Sequence, residues 1–123
     1  MGSFRRPRSL VNREHVPDAG DLIWLDFDPQ AGREQAGRRP AVVLSPAIYN
    51  RRSSLALVCP ITSQQKGYPF EVALPATLPI TGVVLADQVR SLDWRRRHAA
   101  TAGRAPRAVL QEIREKLSLL LGI

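Results

Sequence analysis

Arg38-Arg39-Pro40-Ala41-Val42-Val43-Leu44-Ser45-Pro46 is the stretch from which the fold can be read outward. Pro40 fixes its own φ and biases Arg39 towards an extended backbone. Ala41 to Leu44 then reads as a short strand that can only be buried, and Ser45-Pro46 stops it. Gly37 gives a flexible entry on the other side. Two arginines therefore stand at the mouth of a core strand, with the Glu34 carboxylate five residues before Arg39. A rigidly held guanidinium beside a carboxylate suits a site that grips a phosphate and moves protons. The same two residues equally suit a structural ion pair at a sheet edge.

The surrounding chain repeats the strand pattern. Asp21 to Phe27 alternates, with Ile23, Leu25 and Phe27 on one face and Leu22, Trp24 and Asp26 on the other. Asp28-Pro29 opens a loop that runs to Arg39, and loops on a rigid scaffold are where sites gather. Pro46 to Asn50 reads as a single turn, followed by a basic tip at Arg51-Arg52-Ser53-Ser54. Further strands are expected at Leu55 to Ile61, Tyr68 to Leu74, Val83 to Ala86 and in a run ending at Trp94. Pro69 suggests an edge or a first-residue position for the Tyr68 strand. Arg95-Arg96-Arg97 forms a second basic cluster, which also reads as a solvated charge run.

Pro106 suits a first helical position. Val109, Leu110, Ile113, Leu117, Leu120 and Leu121 recur at helical spacing, and Glu112 and Lys116 form an i, i+4 pair. Short strands with one late helix imply a mostly β, α+β chain: a small, curved, antiparallel barrel with a C-terminal helix. Residues 1–15 are expected to form a flexible basic arm, and residues 16–123 one barrel domain. A chain of 123 residues supplies one core without staples.

Eighteen Lys and Arg against eleven Asp and Glu give a net charge of +7, and the pI is near 11.0. Arg predominates, and Arg binds phosphate bidentately, so nucleic acid is the first partner to consider. An acidic protein would satisfy the same field. The lone Cys59 cannot form an internal disulfide and suits a reducing cytoplasm. No stretch reads as a membrane span, and no secretion signal precedes the first strand.

Phosphate-binding glycine loops, nucleophile elbows and Cys/His zinc spacings are missing from the sequence. Asp26, Asp28 and Glu34 could hold Mg²⁺. A plan without metal or other cofactor fits better, because RNA brings its own nucleophile in the 2′-hydroxyl. Glu34 could take the proton. Arg39 could stabilise the charge developing on the phosphorane oxygens, with the Thr62 hydroxyl donating beside it. Thr62 also reads as an ordinary strand-end threonine.

From Val16 to Leu121 the sequence resembles the MazF/PemK family of toxin endoribonucleases. The likeness is carried by Gly20 to Pro29, Glu34 to Pro46, Tyr49-Asn50, Lys66 to Val72 and Leu85 to Ser91. It implies an SH3-like, CcdB-like barrel, a homodimer in the bacterial cytoplasm, and metal-independent, sequence-specific cleavage of single-stranded RNA. The implied products carry a 2′,3′-cyclic phosphate and a 5′-hydroxyl. The implied inhibitor is an antitoxin whose acidic, disordered tail occupies the RNA groove. The resemblance assigns catalysis to Arg39, Thr62 and Glu34, and RNA contact to Asn50, Lys66, Tyr68, Gln88 and Arg38. Arg38 stands where the best-known member has histidine. A guanidinium keeps its proton at neutral pH, so charge stabilisation is the role expected of Arg39. A non-enzymatic, gyrase-binding toxin of the same fold is the alternative; those relatives end in Trp-Gly-Ile, whereas this chain ends in Leu121-Gly122-Ile123.

Overall fold

A computed structural model of the chain describes residues 15–27 and 37–123. The basic arm before His15 and the loop bearing Asp28 and Glu34 lie outside the described residues. The elements run β1 (Asp21–Asp26), β2 (Arg38–Val43), α1 (Ala47–Ser53), β3 (Leu55–Thr62), β4 (Glu71–Ala73), β5 (Val83–Leu85), β6 (Arg90–Asp93), β7 (Ala100–Arg104) and α2 (Arg107–Leu121).

All pairings are antiparallel. The sheet runs in the order β4-β5-β3-β2-β1-β7, with β6 also paired to β3. β3 divides one of its edges between two partners. Its first half, Leu55 to Val58, pairs with β6, and its last two residues, Ile61 and Thr62, pair with β5. Pro60 falls between these two pairings, which is where a residue without an N–H is tolerated in a central strand.

The expected alternation of β1 is observed. Ile23 and Leu25 enter one core with Ala41, Val43, Ala56, Val58, Leu92 and Trp94, while Leu22 enters another with Val42, Cys59 and Ile61. The central strands are thus covered on both faces. Ala41, Val42 and Val43 are fully buried, and each valine contributes about 1.5–3 kcal/mol by leaving water. Val109 and Ile113 of α2 close the second core.

The architecture is mostly β with a C-terminal helix, as expected, but the sheet curls without closing into a barrel. Its β4 edge is only three residues long, where the sequence suggests Tyr68 to Leu74. Pro69 and Pro75 flank it, and neither can donate to a ladder. Lys116 of α2 instead donates to the Pro69 carbonyl at 2.6 Å, so the helix lies beside this edge. Two elements depart from the sequence reading. Pro46 caps a seven-residue helix where a single turn is expected, and Ala100–Arg104 forms an edge strand whose small residues carry no alternating signal.

Candidate active site

The start of β2 and the end of β3 lie side by side. The register Ala41↔Pro60 and Val42↔Cys59, continued two residues outward, sets Arg39 opposite Thr62. On its other edge Arg39 is paired with Leu25. The Arg39 backbone is therefore held between two strands while its side chain is exposed. Among the described residues its guanidinium has no hydrogen bond or ion pair. Thr62 is half-buried, and its Oγ1 accepts from the Gln64 N–H at 3.1 Å.

Three adjoining clefts meet at Thr62. One, of about 570 Å³, has Trp24, Arg39, Thr62 and Thr81 in its wall. The next, of about 330 Å³, is lined by Phe27, Arg39, Thr62, Gln88 and Arg90. The third, of about 230 Å³, is lined by Thr62, Gln64, Lys66, Tyr68, Asp87 and Gln88. They form a groove with Arg39 and Thr62 at its middle and Tyr68 towards one end.

Glycine makes room for this arrangement. Gly82 has φ +120°, and a Cβ there would run into the Thr62 carbonyl oxygen. Its neighbour Val83 pairs with Thr62, so the strand end is seated against bare backbone. The loop carrying Lys66 and Tyr68 is shaped by Glu71, whose carboxylate accepts from the N–H groups of Lys66 and Gly67, the latter at 2.9 Å. That leaves the Tyr68 ring exposed, with the Lys66 ammonium 6.0 Å from its centroid. A sequence-tolerant base can stack on such a ring.

Arg90 carries no motif of its own in the sequence. The fold brings it to the groove with its guanidinium over the Phe27 ring, 5.1 Å from the centroid. It is a second cation on the same wall as Arg39.

Two of the residues assigned to RNA contact lie elsewhere. Asn50 is fully buried at the far end of the sheet. Its amide donates to the carbonyls of Pro17 (2.8 Å) and Ser45 (3.0 Å), and its Oδ1 accepts from the Ser45 hydroxyl (2.6 Å). Its own carbonyl accepts from the Trp94 indole at 2.9 Å. Asn50 ties β2, α1 and the segment before β1 together, and its side chain is enclosed. Arg38 is engaged with β1: its guanidinium donates to Asp26 Oδ1 (3.0 Å) and to the Trp24 carbonyl (3.3 Å). Glu34 lies outside the described residues.

Asp26 is committed on both oxygens. Oδ2 lies 3.0 Å from His98 Nδ1, and Oδ1 meets Arg38. The His98 hydrogen bond first, and then Arg38, hold its carboxyl below the usual range. Among the described residues, no group of three or more His, Cys, Asp or Glu side chains could hold a metal ion. Burial pushes the Cys59 thiol up to about 12, which leaves it inert as a nucleophile. No described helix is long and apolar enough to cross a membrane.

The chain is similar to known proteins over most of its length. The endoribonuclease toxin MazF of Escherichia coli K12 is 54% identical over 113 residues, covering 92% of this chain and 100% of the relative. Endoribonuclease PemK of Escherichia coli is 35% identical over 118 residues, covering 93% and 89%. A crystal structure of MazF from Deinococcus radiodurans superposes with a TM-score of 0.81 at 62% identity, over 89% of this chain and 100% of that one. A MazE–MazF complex from the same organism gives 0.82 at 60%, over 89% and 99%. Residues 18–121 match the model of the PemK-like, MazF-like toxins of type II toxin–antitoxin systems, and the chain belongs to that family.

Proposed function

We infer that this chain is a toxin endoribonuclease that cuts single-stranded RNA within the Arg39–Thr62 groove, without a metal. The observation that supports the reading is that the exposed Arg39, near the start of β2, and Thr62, at the end of β3, line the same two clefts. The ribose 2′-oxygen gives its proton to a base and forms a bond to phosphorus. The P–O5′ bond then breaks, and O5′ takes up a proton. The products are a 2′,3′-cyclic phosphate and a 5′-hydroxyl, with no net oxidation.

Arg39 serves the phosphorane charge, with Arg90 as a second cation on the same wall. Thr62 donates its hydroxyl to a non-bridging oxygen. Glu34 is our choice for the base, since its carboxylate comes five residues before Arg39 in the sequence. Lys66, Tyr68 and Gln88 hold the flanking nucleotides. The names of the relatives, endoribonuclease in each case, support the activity. The MazE–MazF complexes support an antitoxin as partner. A net charge of +7 suits an acidic antitoxin tail lying in the groove. A homodimer in the bacterial cytoplasm completes the reading.

The test is cleavage of a long transcript by purified protein in excess EDTA, with mapping of the product ends. Cyclic-phosphate and 5′-hydroxyl ends are expected. Activity that appears only on adding Mg²⁺ would reject the metal-free mechanism, and 3′-hydroxyl ends would reject attack by the ribose.

A further inference from the structure

Two basic clusters that are more than forty residues apart in sequence become one surface at the end of the sheet remote from the groove. Arg51 and Arg52 occupy the last turn of α1. Arg95 and Arg96 follow β6, whose Asp93 pairs with Leu55 just after that helix. Arg95 bridges the two clusters: its guanidinium lies 4.3 Å above the Trp94 ring and donates to the Arg51 carbonyl at 3.3 Å. Asp93 is the acid at this junction, and it is occupied by the Ser54 hydroxyl and the Arg96 N–H, each at 3.0 Å.

A helix C-terminus favours a cation in its last turn. That accounts for one arginine of α1. It does not account for Arg96, which comes from a different element and raises the local positive charge. Gathering like charges costs stability in the free protein and is repaid when an anion binds. The same helix exposes Tyr49 and Ile48, at 42% and 57%. Tyr49 lies one turn before Arg52, so an aromatic ring and a guanidinium share one face. Basic groups interleaved with an exposed aromatic ring suit a single-stranded polynucleotide better than an acidic peptide.

We propose that Tyr49, Arg51, Arg52 and Arg96 form a second contact for the RNA backbone, which holds the transcript flanking the cut site. This extends the reading of the chain as a ribonuclease. β3 measures the separation, since it starts at Leu55 beside this surface and ends at Thr62 in the groove. Its seven steps span about 23 Å. A short oligonucleotide confined to the groove does not reach the surface, and a long strand does.

The test compares wild type with Arg51→Gln/Arg52→Gln/Arg96→Gln on mixed-sequence single-stranded DNA, which lacks the 2′-hydroxyl and cannot be cut by the ribose. Strands of about 4 and about 40 nucleotides bracket a groove-sized and a longer site. For the long strand, affinity should fall on the order of 10-fold, and the slope of log K against log salt should flatten by about 2. The short strand should bind as before. An Arg→Lys version of the triple variant, which keeps the charges, should retain most of the affinity. Equal losses on both strands, or no change on the long one, would overturn the proposal. So would intact DNA binding combined with lost binding to a poly-glutamate peptide, which would assign the surface to an acidic protein. If wild type bound the long strand in this way yet cut no RNA, the ribonuclease reading would fail and the anion-binding surface would stand.

Discussion

Arg39 and Asn50 flank the same core strand and meet opposite fates. Arg39, the second residue of β2, has an exposed guanidinium that no described residue engages. Asn50, in the helix after β2, is fully buried with its amide hydrogen-bonded on both sides. Residue type alone would suggest that either polar side chain could bind a ligand. The difference teaches that an available polar group on a rigid strand is suited to chemistry, whereas a saturated one fixes the fold. Arg39→Ala should therefore affect rate without affecting stability, and Asn50→Ala should do the reverse.

The largest effect is expected at the groove. Arg39→Ala and Thr62→Ala should each lower RNA cleavage by about 10²–10³-fold, the size of losing one donor to a developing oxyanion. Melting temperature should stay close to that of the wild type in both. Near-normal cleavage by both variants would remove these residues from the chemistry.

Asn50→Ala comes next. It strands the buried carbonyls of Pro17 and Ser45 and removes the acceptor of the Ser45 hydroxyl, and should cost about 3 kcal/mol in denaturant unfolding. Cleavage per folded molecule should be unchanged. A rate loss without a stability loss would return Asn50 to the site.

Gly82→Ala couples the two behaviours. The new Cβ meets the Thr62 carbonyl on a backbone that only glycine adopts easily, so stability should fall by about 1–3 kcal/mol. Cleavage should fall as well, because the strand end carrying the hydroxyl must shift. If stability fell while cleavage per folded molecule held, Gly82 would matter to the fold alone.

The smallest effect concerns Asp26. Its carboxyl titrates lower in the folded protein than in the unfolded chain, mainly through His98 and then Arg38. The stabilisation is therefore complete above the ordinary carboxylate value, near about 3.9, and is lost as pH falls through the lower folded value. Asp26→Asn should lower the melting temperature at neutral pH and flatten its fall in acid. An unchanged acid limb would mean that this ion pair does not contribute.

Much of the fold was legible because it rests on local alternation. Ile23 and Leu25 part from Leu22 as a half-period predicts, and Ala41-Val42-Val43 is too apolar to lie anywhere but between two cores. Arg39 and Thr62 could be placed at strand ends for the same reason. The edge strand at Ala100–Arg104 was not legible, since Ala, Thr and Gly carry little pattern and the strand forms by pairing with β1. The burial of Asn50 was not legible either, since it involves Pro17, thirty-three residues away. Arg90 reaches the groove through tertiary pairing of β6 with β3, which no local spacing announces.

The divided edge of β3 has a consequence for how the molecule comes apart. One continuous strand serves as a rail for β6 at one end and β5 at the other, so neither half can detach without loosening the other's neighbour. Amide exchange along Leu57 to Ile61 should then require whole-molecule opening. Damage at the Asn50 end would thin the population of working molecules and leave the geometry at Thr62 intact in those that remain.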